Sequence, residues 1–190
     1  EKIAGRPFSY LIQDRLFRPL GITTAGFGAP GEKGQADQPW GHTAGGKPIE
    51  PGPNADNPPA VGPAGRVHMT LGDWAKFIAL HLRADAANPR RQPDLLKPAT
   101  FDFLHQPARG SGQPYACGWI VARRAWAKGN RPGDTGLVLT HAGSNTLWHC
   151  VAWLAPERSF AVLAACNQGG DPASRACDRA VEMLIQQALH

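Results

Sequence analysis

His141-Ala142-Gly143-Ser144-Asn145 gathers a proton-handling side chain, a residue with no side chain and two polar neighbours into one short run. Such a run suits one wall of a catalytic site. The histidine can face a reacting group, and Gly143 keeps bulk away from a ligand lying along the backbone. Asn145 is a further candidate substrate contact. His149 lies inside an apolar run and reads as a satisfied core histidine, while His42, His68, His81, His105 and His190 show no paired ligand spacing, so no metal is expected. Trp40 and His42 either border the site or anchor the loop that carries them. Lys76, Arg83, Arg123 and Arg124 read as solvated faces.

The elements that must position this run are written in the hydrophobic pattern. Leu137-Val-Leu-Thr140 delivers the tripeptide His141-Ala142-Gly143 at its end. Leu147-Trp-His-Cys-Val-Ala-Trp-Leu154 and Ser159-Phe-Ala-Val-Leu-Ala-Ala-Cys166 follow as two more strands, joined by a tight turn at Ala155-Pro-Glu-Arg158. Tyr115-Ala-Cys-Gly-Trp-Ile-Val-Ala122 reads as an earlier strand, followed by a loop at residues 128–133. Near the start, Phe8, Leu11, Ile12, Leu16 and Phe17 repeat at helical spacing until Pro19, which should stop the helix. From Leu20 to Gly65 glycine, proline and small polar residues take over, and Trp40, Phe27 and Ile49 predict an ordered wrapping loop rather than a disordered one. Thr70-Leu-Gly-Asp73 resembles a capping box, with Trp74, Phe77, Ile78 and Leu82 as the apolar stripe of a helix over 71–84. A turn at Arg90-Arg-Gln-Pro93, a helix over 95–105, and a C-terminal helix starting at Asp171-Pro172 complete the chain. Cys177, Val181, Leu184 and Ala188 should face a sheet of at least four strands. The order is α+β: an antiparallel sheet grouped late in the chain, flanked by helices, without internal repeats.

Bulk properties narrow the partners. The chain has 190 residues, 42% of them hydrophobic, enough for a real core. A net charge of +5 is scattered, with basic pairs only at Arg90-Arg91 and Arg123-Arg124, so no nucleic-acid partner is expected. Apolar runs reach about eight residues against the roughly 20 needed to cross a bilayer, so no membrane span is expected. Cys117, Cys150, Cys166 and Cys177 lack Cys-x-x-Cys spacing; Cys166, at a strand end, and Cys177, in the next helix, could meet as a disulfide in an oxidising compartment. The opening Glu1-Lys-Ile-Ala-Gly reads as the middle of a protein.

Four stretches together resemble the serine beta-lactamase-like hydrolases: class C beta-lactamases, D-alanyl-D-alanine carboxypeptidases, D-aminopeptidases and related esterases. They are Arg15-Leu-Phe-Arg-Pro-Leu-Gly-Ile22 with Thr24-Ala-Gly-Phe27, the segment Pro63 to Phe77, His141-Ala-Gly143, and the hairpin from Ala155-Pro-Glu-Arg158 to Asn167. The resemblance implies a beta-lactamase/transpeptidase-like fold and cleavage of an amide or ester through an acyl-enzyme, with no cofactor. The family's Ser-x-x-Lys and Tyr-x-Asn motifs are absent: Ser9, Ser111, Ser144, Ser159 and Ser174 have Ile, Pro, Leu, Val and Cys three positions on, and Tyr10 and Tyr115 have Ile and Cys two positions on. The 190 residues therefore resemble the C-terminal portion of one such domain, with helices and loop over 1–114, strands and a last helix over 115–190, and the nucleophile-bearing part missing. The resemblance implies that the Ser144 backbone N–H donates the second hydrogen bond of an oxyanion hole, a donor whose loss costs about 3 kcal/mol of transition-state stabilisation. The family's third motif usually opens with lysine. His141 there implies a peptidase or esterase rather than a lactamase, since histidine is not a permanent cation. A small-molecule or short-peptide substrate, a periplasmic or secreted setting, and either a missing N-terminal segment or self-association covering exposed apolar surface are implied. The alternative is a non-catalytic scaffold remnant acting as an interaction module.

Overall fold

Pro19 does not end the first helix. In the computed structural model, which describes residues 1–82, 95–110, 112 and 114–189, α1 (Phe8–Ile12) passes into a π-helical turn (Gln13–Phe17) and then α2 (Arg18–Leu20), which contains the proline. A proline donates no N–H and its ring crowds the carbonyl four residues back, and the wider π turn just ahead of it makes room. Gly21 stops the helix instead, at φ 65°.

Thereafter come β1 (Gly26–Phe27), β2 (Gly41–His42), β3 (Pro48–Ile49), α3 (Gly62–Gly65), β4 (Val67–His68), α4 (Leu71–Leu82) and α5 (Pro98–His105). The late part holds β5 (Tyr115–Ala116), β6 (Trp119–Arg123), β7 (Leu137–Ser144), β8 (His149–Ala155), β9 (Phe160–Cys166) and α6 (Asp171–Leu189). Strands β5 to β9 form one five-stranded sheet in chain order, and β1–β4 and β2–β3 are small antiparallel pairs. This is the expected α+β arrangement. The strand expected over Tyr115–Ala122 is instead a hairpin: Ala116 pairs with Trp119, leaving Cys117 and Gly118, at φ 46° and 100°, as a two-residue turn. The turn expected at Arg90–Pro93, Arg83, His190 and the end of the 71–84 helix lie outside the described residues.

Two compact units account for the chain. The first comprises residues 1–76, 143–150 and 165–178. Its organising group is the buried Asp73 carboxylate, which accepts hydrogen bonds from the Thr23 and Thr24 N–H groups (2.8 and 2.7 Å), the Thr24 hydroxyl (2.7 Å) and Lys76 (2.6 Å). Lys76 foremost, with the Thr24 hydroxyl and N–H behind it, holds this carboxyl well below the usual range, burial opposing. Only half of the capping box forms, through Asp73 N–H to the Thr70 hydroxyl at 3.3 Å. Lys76 is thereby anchored, not merely solvated.

The second unit comprises residues 77–142, 151–164 and 179–190. Val138, Leu139, Leu154, Ala155 and Ala127 are fully buried, with Trp126 and Trp153 packed beside them. Glu157 in the turn after β8 accepts from Thr135 and Gly136, which fixes the entry to β7. On α6 the buried stripe is Ala173, Cys177, Val181 and Ile185, a strict four-residue spacing; Leu184 and Ala188, expected to face the sheet, are exposed. An i, i+4 stripe covers a narrower face than the composition suggests.

Candidate functional site

β7 changes character at a single step. Val138, Leu139 and Thr140 are buried, the Thr140 hydroxyl donating to the Ala152 carbonyl at 2.8 Å, whereas His141, Ala142 and Ser144 are exposed and Gly143 is half-buried. The tripeptide thus lies inside the strand rather than beyond it: the extended backbone continues to Ser144. Successive side chains of a strand point to opposite faces, so exposure of both His141 and Ala142 means that neither face is covered there.

His141 meets Tyr115. The Tyr115 hydroxyl lies 3.3 Å from His141 Nε2, with ring centroids 6.0 Å apart. Ladder register brings them together, since Tyr115 pairs with Ile120 and Ile120 with Thr140, the residue before His141. Nothing in the local spacing of Tyr115 signals this partner. A phenol and an imidazole at this distance can share one proton, with either group donating.

Gly143 is not needed by the packing of its own surroundings. Its φ is not in the left-handed region, and an added Cβ would meet only the Cys150 sulfur, at an ordinary 3.9 Å. Ser144 and Asn145 build the turn that follows. The Ser144 hydroxyl donates to the Trp148 carbonyl at 2.6 Å and accepts the Thr146 N–H at 3.0 Å. Asn145 Oδ1 accepts the Leu147 and Trp148 N–H groups at 3.2 and 3.0 Å, and its Nδ2 donates to Asp56 at 2.8 Å. Asp56, its side chain only 4% exposed, also pairs with Arg66 at 3.5 Å. Thr146 sits at φ 74°, and Gly169 lies so close to its carbonyl that a Cβ there would collide. Asp56 and Gly169 are distant in sequence from the turn they support, so no motif announces them.

Trp40 and His42 anchor their loop. Trp40 Nε1 donates to the Gln35 carbonyl at 3.0 Å and the Trp40 carbonyl accepts Asn167 Nδ2 at 2.9 Å; His42 Nδ1 lies 2.9 Å from the Asn167 carbonyl, and the His42 backbone N–H donates to the Leu147 carbonyl at 3.1 Å. The long Gly/Pro-rich segment is ordered, as its anchors suggested. His149 is buried, but its Nε2 has no hydrogen-bond partner among the described residues, which corrects the expectation of a satisfied core histidine. Strand β8 brings this ring in with its apolar neighbours whatever its polarity. Among the described residues no three His, Cys, Asp or Glu side chains form a metal-ligating group, and no helix is long and apolar enough to cross a membrane.

The order of these elements, with a five-stranded sheet late in the chain and a long helix after it, has relatives. The Beta-lactamase family profile matches residues 1–187, and the chain belongs to the Beta-lactamase family. Among solved structures it is similar to SurE, at 20% identity and TM-score 0.68 over 97% of this chain and 41% of that one. It is similar also to a D-stereospecific amidohydrolase from Streptomyces sp., at 15% identity and TM-score 0.65 over 95% and 50%, and to a beta-lactamase/D-alanine carboxypeptidase from Pseudomonas syringae, at 14% identity and TM-score 0.67 over 97% and 54%. These likenesses establish the beta-lactamase/transpeptidase-like fold. The chain spans about half the length of these structures or less. No curated protein matches it by sequence.

Proposed function

We propose that these residues form the C-terminal portion of a serine hydrolase that cleaves an amide or ester bond through an acyl-enzyme, supplying one wall of the site but not the nucleophile. The observation that carries this reading is Gly143: a glycine at a half-buried strand position, between exposed Ala142 and Ser144, that no neighbour among the described residues requires. A substrate lying along β7 gives it a reason, since any side chain there would occupy the ligand's space. His141, at the place of the family's usual lysine, contacts the substrate or its proton network, with Tyr115 beside it. The Ser144 N–H donates to the oxyanion; the Ser144 hydroxyl, engaged at both donor and acceptor within its turn, is not the attacking group. Asn145, the other candidate contact, shapes the wall by holding that turn against Asp56, because using its amide on a substrate would break bonds it already makes.

The substrate in this reading is a small molecule or short peptide: a beta-lactam, a D-amino-acid peptide or amide, or an ester, met in a periplasmic or secreted setting. The test is covalent labelling. A protein carrying this chain together with an upstream Ser-x-x-Lys segment is expected to label at that serine with penicillin or a fluorophosphonate, and the 190-residue chain alone is expected to stay unlabelled. Stoichiometric labelling of the 190-residue chain would overturn the division of labour. A second reading, a non-catalytic interaction module, is favoured by the apolar groove of about 400 Å³ along β9 and α6, lined by Phe160, Leu163, Leu184 and Ala188. A partner segment or a second copy would cover it.

A further inference from the structure

Tyr115 reaches the candidate wall through strand pairing, and its hydroxyl is what it brings there. Both Tyr115 and His141 belong to the second unit. Tyr115 is 46% exposed, so burial in a core does not account for its place on β5. Its ring stands opposite Ile120, itself 43% exposed, as an aromatic and β-branched cross-strand pair. A phenylalanine would make that pair equally well. The hydroxyl adds the contact to His141 Nε2 at 3.3 Å. Among the described residues His141 Nδ1 makes no hydrogen bond, so the protein engages one ring nitrogen and leaves the other open on an exposed side chain.

We infer that Tyr115 is the positioning residue of His141: its hydroxyl donates to Nε2, keeps the imidazole proton on Nδ1, and makes His141 an uncharged N–H donor to the substrate. The inference rests on the acyl-enzyme reading for its substrate, which it narrows to an amide or ester presenting an uncharged carbonyl, rather than a free carboxylate, to this wall.

The direction of the bond follows from the chemistry of the two groups. A phenol is a stronger acid than a neutral imidazole N–H, and an imidazole nitrogen is a stronger base than a phenol oxygen, so O–H···N is favoured over N–H···O between them. With Nε2 occupied as an acceptor, the neutral ring carries its one proton on Nδ1. An imidazole exposed only to water favours the opposite form, with the proton on Nε2, so the tyrosine reverses the ring's own preference. One neutral donor matches one carbonyl oxygen. A carboxylate brings a full charge and two oxygens, and a cation or a fork of donors meets it better.

Nitrogen NMR of the imidazole rings reads the tautomer directly. The isotope-labelled 190-residue chain is measured above the pH at which imidazole becomes a cation, with the His141 signals assigned through His141→Gln. The wild-type ring is expected to show a protonated Nδ1 and a bare Nε2. Tyr115→Phe is expected to move the proton to Nε2 while the amide spectrum elsewhere stays that of the folded chain. A role confined to the cross-strand pair would leave the tautomer as it was, because phenylalanine keeps that pair. In a protein joining this chain to an upstream Ser-x-x-Lys segment, the wild type is expected to prefer a carboxamide or ester substrate over the matching carboxylate. There Tyr115→Phe should lower kcat/KM roughly tenfold for the uncharged substrate and less for the carboxylate, shrinking the preference. The tautomer is read without catalysis, so it decides the role of Tyr115 even where covalent labelling overturns the acyl-enzyme reading. With labelling intact, a preference that Tyr115→Phe leaves undiminished would overturn the substrate assignment. A wild-type ring protonated at Nε2, or a tautomer that Tyr115→Phe does not change, would overturn the inference itself.

Discussion

Gly143 separates two explanations that usually travel together, structural and functional glycine. With only Cys150 Sγ at 3.9 Å from an added Cβ, Gly143→Ala should fold and gain up to about 0.5 kcal/mol, because alanine loses less backbone freedom in a strand. Under the proposed acyl-enzyme reading, the same change in a protein that joins this chain to an upstream Ser-x-x-Lys segment is expected to lower kcat/KM roughly a hundredfold by displacing the substrate from the strand. Urea unfolding read beside steady-state kinetics checks both, and a parallel loss of stability would make the glycine a packing residue. His149 carries the opposite lesson. Its place in an apolar run foretold burial, but whether a buried ring nitrogen finds a partner depends on what other segments bring to it, and Nε2 finds none among the described residues. Such a group costs about 1–3 kcal/mol.

Elements with strong periodicity were readable from the chain, and the exceptions are local backbone events. β8 and β9 start within a residue or two of their apolar runs, and α6 starts at Asp171-Pro172 as its capping residues suggest. The hairpin at Cys117-Gly118 escaped because its residues read as an uninterrupted strand; only the pairing of Ala116 with Trp119 reveals the turn. Cys117, at φ 46°, is a non-glycine residue in the left-handed region, which costs about 1 kcal/mol. Cys117→Asn should therefore raise the unfolding free energy by about 0.5 kcal/mol, since asparagine tolerates that conformation and suits a two-residue hairpin turn. A urea midpoint that falls would contradict the strain. The π turn before Pro19 was hidden for a related reason: the proline marks a conflict, and the helix resolves it by widening rather than stopping.

For the molecule as a whole, acid is the expected weakness. His81 Nδ1 lies 2.9 Å from His105 Nε2, with Phe77, Phe101 and Trp119 around the His81 ring. Burial, with His105 adding to it, pushes His81 down to about 3, and burial lowers His105 against the pull of Asp102. The unfolded chain takes up a proton near 6.5 that the folded chain refuses. Stability is therefore complete above about 6.5 and falls as pH drops through the window down to about 3, by up to about 1.4 kcal/mol per unit for His81. Asp73 acts with the same sign but only lower, because its depressed carboxyl contributes fully above the ordinary carboxylate range. Urea unfolding between neutral pH and about pH 5 isolates the histidines, and the double variant His81→Leu/His105→Leu is expected to flatten that part of the profile. An unchanged slope would exclude the pair as its cause.

The sequence by itself determined the family and the α+β order, and singled out the run His141 to Asn145 that the proposed function uses, because these rest on local pattern and on motifs whose residues are neighbours in the chain. It also showed that no Ser-x-x-Lys lies within these 190 residues. Tertiary structure alone decided which of those residues stay open and what they touch. Register set Tyr115 against His141 across 26 positions, and chain return set Asp56 and Gly169 behind the turn. Each of these is a contact between segments, fixed by strand pairing and packing rather than by neighbours in sequence, and local spacing carries no record of it.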